Sequence, residues 1–352
     1  MQTSFNMAQT AADHSPTYRR CLIMAGGGFR FGYYLGIYAA MQARGQPPDL
    51  LLASCGGALA AALIQALPDN DSRLEYLCAE PMYQYWRNLP AGPGSRLTSL
   101  FRELAKRRLS PQHCKKVPDL FTQYLFELPP KIPVPVRSFY EGQPAIALIG
   151  AELLFQPEQA GQARHNQALF RQIVMGPDAL SPAIKRVAAP LSQYEPHSTV
   201  LPDIHCRSDL PLEVAVRIAI SDMYYFQPAE FAGNYYIGGA IDLLPLEIGQ
   251  ALASEVIAER KPRFDRWLAS PALISVFGVE PNRRLMDVMR QSADTWIDTR
   301  DMRQMLPEPL LQKRLEWWHN QLRLRGATSH AEHRQRMHQQ WQYGYQRGMA
   351  AQ

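Results

Sequence analysis

Met24-Ala25-Gly26-Gly27-Gly28-Phe29-Arg30-Phe31-Gly32, followed down the chain by Leu52-Ala53-Ser54-Cys55-Gly56-Gly57-Ala58-Leu59, are the two stretches on which the fold is read. In the first, the apolar run Cys21-Leu22-Ile23-Met24-Ala25 stops at three consecutive glycines, and from Gly32 a helical pattern runs to Arg44-Gly45. That is strand, glycine loop, helix. In the second, the apolar run Leu50-Leu51-Leu52-Ala53 meets a turn of small residues and continues into an alanine-rich helix that Pro68 ends. Residues 50–67 are uncharged and approach membrane-spanning length, but Ser54, Gly56, Gly57 and Gln65 interrupt them, so they read as a buried strand and a buried helix.

Strand, helix, strand, helix places helices on both faces of a largely parallel sheet, with functional loops at the carboxyl ends of the strands. The expectation is an α/β three-layer sandwich with a mainly parallel central sheet. Outward from this unit, residues 88–133 are basic and proline-rich and read as covering helices and loops. Residues 145–155 and 171–175 read as strands, 211–220 as a strand or a buried helix, and 273–279 as a last strand. The division this suggests is a polar arm (1–20), a main domain (21–270), and a last strand with a basic helical C-terminal tail (271–352).

Of the 352 residues, 46% are hydrophobic, enough for a substantial core, and the net charge of +5 is confined to one end. Residues 281–352 hold 12 Lys/Arg against 7 Asp/Glu, leaving 25 of each sign before them. A neutral main body argues against a nucleic-acid surface. The tail also carries Trp296, Trp317, Trp318 and Trp341 and four histidines among its arginines. Two readings stand: a helical cap packed by its tryptophans, or a peripheral contact with an anionic membrane. Five cysteines without regular spacing suggest neither a disulfide framework nor a metal site, and the polar first twenty residues lack a secretory core, so a cytoplasmic location is expected.

The two loops also carry chemistry. Consecutive glycines at a helix N-terminus leave amide N–H groups uncovered, suited to holding an anion, and the small-residue turn at Cys55 has the form of a nucleophile elbow. A third stretch, Ala219-Ile220-Ser221-Asp222 followed by Phe226, Pro228 and Gly233-Asn234-Tyr235-Tyr236-Ile237-Gly238-Gly239-Ala240-Ile241-Asp242-Leu243-Leu244-Pro245, completes a pattern. Together the three resemble the patatin-like phospholipases, with their G-G-G-x-R-G loop, G-x-S-x-G elbow and distant D-G-G or D-G-A. The resemblance spans 21–253. It implies a Ser-Asp dyad, no cofactor, a lipid or fatty-acyl ligand, and oxyanion donors at Gly26, Gly27, Gly28, Phe29 and Arg30.

The departures fall on the chemistry. Aligned on the elbow, the serine position is Cys55 and the first glycine is Ala53; aligned on the third motif, the aspartate position is Ile237, which cannot accept a proton. Phe31 replaces the glycine after Arg30. A thiol ionises far more readily than a hydroxyl, so Cys55 at a helix N-terminus could act as a thiolate without a dedicated base. Equally, Cys55 and Ile237 could be inert fillings of a lipid-binding site that has lost its reaction. Asp242 is a candidate substitute base and His205 another, while Glu213 and Asp222 read as surface or capping residues.

Overall fold

The computed structural model describes residues 16–109, 115–135, 142–194 and 196–352; Cys114 and most of the polar arm, 1–15, lie outside the described residues. Strand β1 (Tyr18–Met24) leads through the glycine loop to α1 (Tyr33–Ala43), and β2 (Leu50–Ala53) leads through the Cys55 turn to α2 (Gly56–Ala66). Helices α3 (Asn70–Cys78), α4 (Glu80–Arg87) and α5 (Leu97–Leu109) follow, then β3 (Ala145–Leu153), β4 (Phe170–Met175), α6 (Ser181–Ile184) and β5 (His205–Arg207). The stretch left open between strand and helix is the helix α7 (Leu212–Ala219), and after it come β6 (Ala229–Phe231) and β7 (Asn234–Ile237). The chain continues through α8 (Leu246–Leu252), β8 (Ala253–Arg260), α9 (Ala269–Phe277), α10 (Pro281–Met289), β9 (Thr295–Asp298) and α11 (Met302–Met305). It ends with the hairpin β10 (Gln312–Glu316) and β11 (Gln321–Arg325) and the long helix α12 (His330–Met349).

The main sheet runs β5-β4-β3-β2-β1-β8-β9, with β7 on β3 and β6 on β7. Pairings β1/β2, β2/β3, β1/β8, β8/β9 and β4/β5 are parallel, whereas β3 is antiparallel to β4 and β7. Strand alternation divides the core: Leu22, Met24, Leu51 and Ala53 pack with α1, α2 and α7 on one face, and Cys21, Ile23, Leu50 and Leu52 pack with α8, α9 and α10 on the other. The three-layer expectation holds.

Two details differ from the sequence reading. Residues 273–279, expected to be the last strand, lie mostly in α9, because Leu273, Val276 and Phe277 are buried at helical spacing and Gly278 ends the helix in a left-handed conformation (φ 73°). The last strand of the sheet is β9, which pairs with β8, so the tail completes the sheet instead of trailing behind it. Its helical part, α12, is bound closely to α1. A Cβ on Gly344 would lie 1.8 Å from the Tyr33 carbonyl oxygen, and one on Gly36 would lie 2.0 Å from that of Trp341. Only glycine at both positions allows the two helices to cross at this separation.

Candidate active site

Both loops end at one point above the sheet. Cys55 is the residue before α2 and has φ 49° and ψ −127°, outside the regions a residue with a Cβ prefers. Such a conformation costs on the order of 1–3 kcal/mol and persists where its surroundings enforce it. Here they do: the Ser54 amide donates to the Met24 carbonyl, and the Ser54 hydroxyl donates to the carbonyl of Asp242. The small neighbours are required. A Cβ on Gly57 would come within 2.1 Å of the Met24 oxygen, and one on Gly56 within 2.7 Å of the Gly28 oxygen.

The partner of the sulfur is Asp222. Its Oδ2 lies 2.7 Å from Cys55 Sγ, a hydrogen bond in which the thiol donates. Asp222 leaves α7 through the turn Ile220-Ser221, anchored where the Gly238 amide donates to the Ser221 carbonyl at 2.8 Å. A Cβ on Gly238 would stand 2.6 Å from Asp222 Oδ1, so Gly238 leaves the space that this carboxylate occupies, while a Cβ on Gly239 would stand 2.7 Å from the Ser54 Cβ at the elbow. Reading Asp222 as a surface or capping residue is therefore corrected. Glu213 is exposed in the first turn of α7, as expected.

Burial sets the protonation of the pair. It raises the Asp222 carboxyl to about 6, against the lowering effect of the thiol hydrogen bond and the Ala240 amide. Burial, followed by the charge of Asp222 and the hydrogen bond to it, pushes the Cys55 thiol well above its ordinary range; the Gly56 and Gly28 amides pull the other way. The expectation of a thiolate standing without a base is thus overturned. Near neutral pH the resting pair is a thiol donating to a carboxylate.

The other sequence candidates are placed elsewhere. Ile237 is wholly buried at the end of β7, opposite Ala151. Asp242 is buried against Arg284, 3.2 Å from its guanidinium, with Gln172 on its other oxygen, and is not a base for Cys55. Asp242 follows the short helical turn Gly239–Ile241, and its carbonyl, not its carboxylate, meets the Ser54 hydroxyl beside the apex. His205 is exposed on edge strand β5 and faces Asp203 at 3.0 Å. In the glycine loop, Gly28 is left-handed (φ 58°) and its amide bears on the sulfur. The Arg30 amide instead donates to the Gly27 carbonyl, which removes it from the expected oxyanion donors. Gly26 and Gly27 line the same cavity, and Phe29 is held from behind by the Leu310 amide on its carbonyl. Gly56, absent from the expected donors, contributes the second amide at the sulfur. Phe31 is buried against Trp86, and both side chains belong to the wall of the cavity beside Cys55.

Cys55 opens into a cavity of about 660 Å³. Apolar and aromatic side chains such as Leu59, Trp86, Tyr225 and Phe226 form part of the wall, and Arg30, Lys261, Arg263, Arg303 and Lys313 also line it. Asp222 is the one acid among the described residues of this lining. Arg30 and Arg303 are close enough that the charge of the second, after burial, lowers the pKa of the first. Among the described residues there is no cluster of three or more His, Cys, Asp or Glu able to hold a metal ion.

The family model for patatin-like phospholipases matches residues 22–248, a stretch that contains the glycine loop, the elbow and the Asp222 turn. The chain belongs to the patatin-like phospholipase family. No curated protein matches it. A solved structure similar to this chain is that of VipD from Legionella pneumophila, at 11% identity and a TM-score of 0.31, covering 71% of this chain and 51% of that one. The chain thus spans about half the length of that structure. In this chain the elbow carries a Cys-Asp pair, with the carboxylate supplied by the loop after α7.

Proposed function

We propose that this patatin-like protein is a thiol-dependent lipid acyl hydrolase or acyltransferase, with Cys55 as nucleophile and Asp222 as its proton acceptor. The observation that carries the reading is the 2.7 Å contact between Cys55 Sγ and Asp222 Oδ2 on a strained strand-to-helix apex. A sequence with Ile237 at the family's aspartate position also suited a lipid-binding protein without a reaction. A thiol placed on a carboxylate and opening into a cavity favours the enzyme.

As Sγ attacks the carbonyl carbon of a lipid ester or thioester, its proton passes to Asp222 and a carbon–sulfur bond forms. The carbonyl electron pair moves to oxygen, toward the Gly28 and Gly56 amides. Collapse of this adduct expels the alcohol or thiol, which takes the proton back from Asp222, and leaves an acyl thioester on Cys55. Water or an acceptor alcohol then gives its proton to Asp222 as it attacks the thioester, and the departing sulfur recovers that proton. The chemistry uses no cofactor. The apolar walls suit an acyl chain and the five cations suit an anionic head group. Contact of residues 281–352 with an anionic membrane belongs to the same proposal.

Hydrolysis of a short-chain p-nitrophenyl ester and of an acyl thioester, compared between the natural chain and Cys55→Ala, tests it. Activity that disappears in Cys55→Ala while the melting curve is kept supports the enzyme. No activity toward either substrate would leave the lipid-binding alternative.

A further inference from the structure

Three segments at the cavity wall carry an unusual surface. Residues 261–264, 302–309 and 311–313 contribute lining side chains, and all lie beyond residue 248, where the family match ends. These segments, with the residues that directly continue them, expose large apolar side chains. Trp267 and Leu268 are 61% and 53% exposed, Met305 54%, and Leu315, Trp317 and Trp318 are 44%, 66% and 100% exposed. Trp317 and Trp318 form the turn of the β10/β11 hairpin, and Trp317 stacks on Phe101 of α5, another exposed aromatic, with ring centroids 6.1 Å apart. The remaining tail tryptophans differ: Trp341 stacks on Tyr345 within α12, and Trp296 is half-buried under Arg260.

The charge around these side chains has one sign. Residues 261–268, 302–309 and 311–325 hold eight Lys/Arg against three Asp/Glu. The three acids are engaged: Asp265 accepts from the Trp267 and Leu268 amides, Glu308 pairs with Arg336, and Glu316 pairs with Arg323 and Arg325. Exposed tryptophans and leucines among basic groups are the composition that an interface of apolar chains and anionic head groups attracts. A protein partner with an apolar patch would fit the aromatic side chains, but it would leave the surplus positive charge unexplained.

We propose that these three segments are the face by which the protein docks on an anionic phospholipid bilayer, with the cavity mouth turned toward the lipid. The inference rests on the lipid reading of Cys55 and adds where the membrane meets the chain. It assigns docking to the hairpin and the segments at the cavity, and leaves α12 as a structural element packed on α1.

The test is vesicle co-sedimentation of the full chain, with phosphatidylcholine vesicles compared with vesicles containing one third phosphatidylglycerol. Binding is expected to the anionic vesicles and to weaken as sodium chloride is raised. Trp318→Ser combined with Leu268→Ser should lower the partition coefficient by about tenfold or more, and Arg314→Glu by about fivefold or more, since a basic group near such a surface is worth about 1 kcal/mol. Cys55→Ala should bind as the natural chain does, and the docking variants should keep hydrolysis of a soluble p-nitrophenyl ester. Failure of the catalytic reading would thus appear in the soluble assay alone. Unchanged binding by the Trp318→Ser/Leu268→Ser variant and by Arg314→Glu, binding indifferent to lipid charge or salt, or a dimer in solution that Trp318→Ser dissociates would each overturn the proposal.

Discussion

Replacing Asp222 by asparagine should move three observables in directions that no merely structural role of the residue would produce. In the natural protein, burial raises the carboxyl from 3.8 to about 6, which at 1.36 kcal/mol per pH unit corresponds to roughly 3 kcal/mol against the ionised form. A group whose pKa rises on folding favours the folded state while protonated, and this contribution is lost as pH climbs through about 6. Asp222→Asn is therefore expected to raise stability at pH 8 by up to about 3 kcal/mol, with little change at pH 4. Hydrolysis should fall by about 10²- to 10⁴-fold, the usual worth of a positioned base. The thiol should change in the opposite sense: without the carboxylate charge and hydrogen bond that push it up, Cys55 should ionise more readily and react faster with iodoacetamide at pH 8. Urea unfolding at the two pH values, ester hydrolysis, and alkylation followed by peptide mass mapping read the three. Undiminished hydrolysis, or slower alkylation of Cys55, would refute the pairing.

The pH profile of kcat/KM in the natural protein should rise through about 6 as Asp222 ionises, and that limb should vanish in Asp222→Asn. Cys55→Ser should retain measurable ester hydrolysis with Ile237 untouched, because the proton acceptor is already at the apex; loss of all activity in a well-folded variant would count against Asp222 as a base. Ile237→Asp, which puts a carboxylate at a wholly buried position, should lower stability by at least about 2 kcal/mol and add no activity, as a urea titration beside the ester assay would show. Gly344→Ala should cost about 1–3 kcal/mol, since its Cβ would sit 1.8 Å from the Tyr33 oxygen, and the urea midpoint reports it.

The first two strands and helices were legible because their signals are local: apolar runs of strand length, glycines where the backbone turns, and Pro68 after α2. The apex at Cys55 was legible for the same reason. The proton acceptor was not. Motif order points to residue 237, yet the carboxylate that reaches the sulfur comes from the preceding loop, and only packing brings Asp222 over Gly238. One trace did exist in the sequence: Asp222 and Glu230 are the only acids between Ala219 and Ile241. The misread strand at 273–279 has a plainer cause, since a short apolar run has no period that separates a buried strand from a buried helix, and here Gly278 marked a helix end. Of the tail's two readings, the cap describes α12, which packs on α1, but not Trp317 and Trp318, which are exposed on a hairpin that sequence periodicity did not reveal.

The central claim is that Cys55 carries the acyl group, and trapping that intermediate tests it most directly. The protein would be mixed with a p-nitrophenyl ester, quenched in acid during turnover and digested, with the acyl mass then located by tandem mass spectrometry. The added acyl mass is expected on the peptide containing Cys55, released by hydroxylamine as a thioester is, and absent from Cys55→Ala. Turnover with the acyl group on another residue, or turnover that persists unchanged in Cys55→Ala, would contradict it.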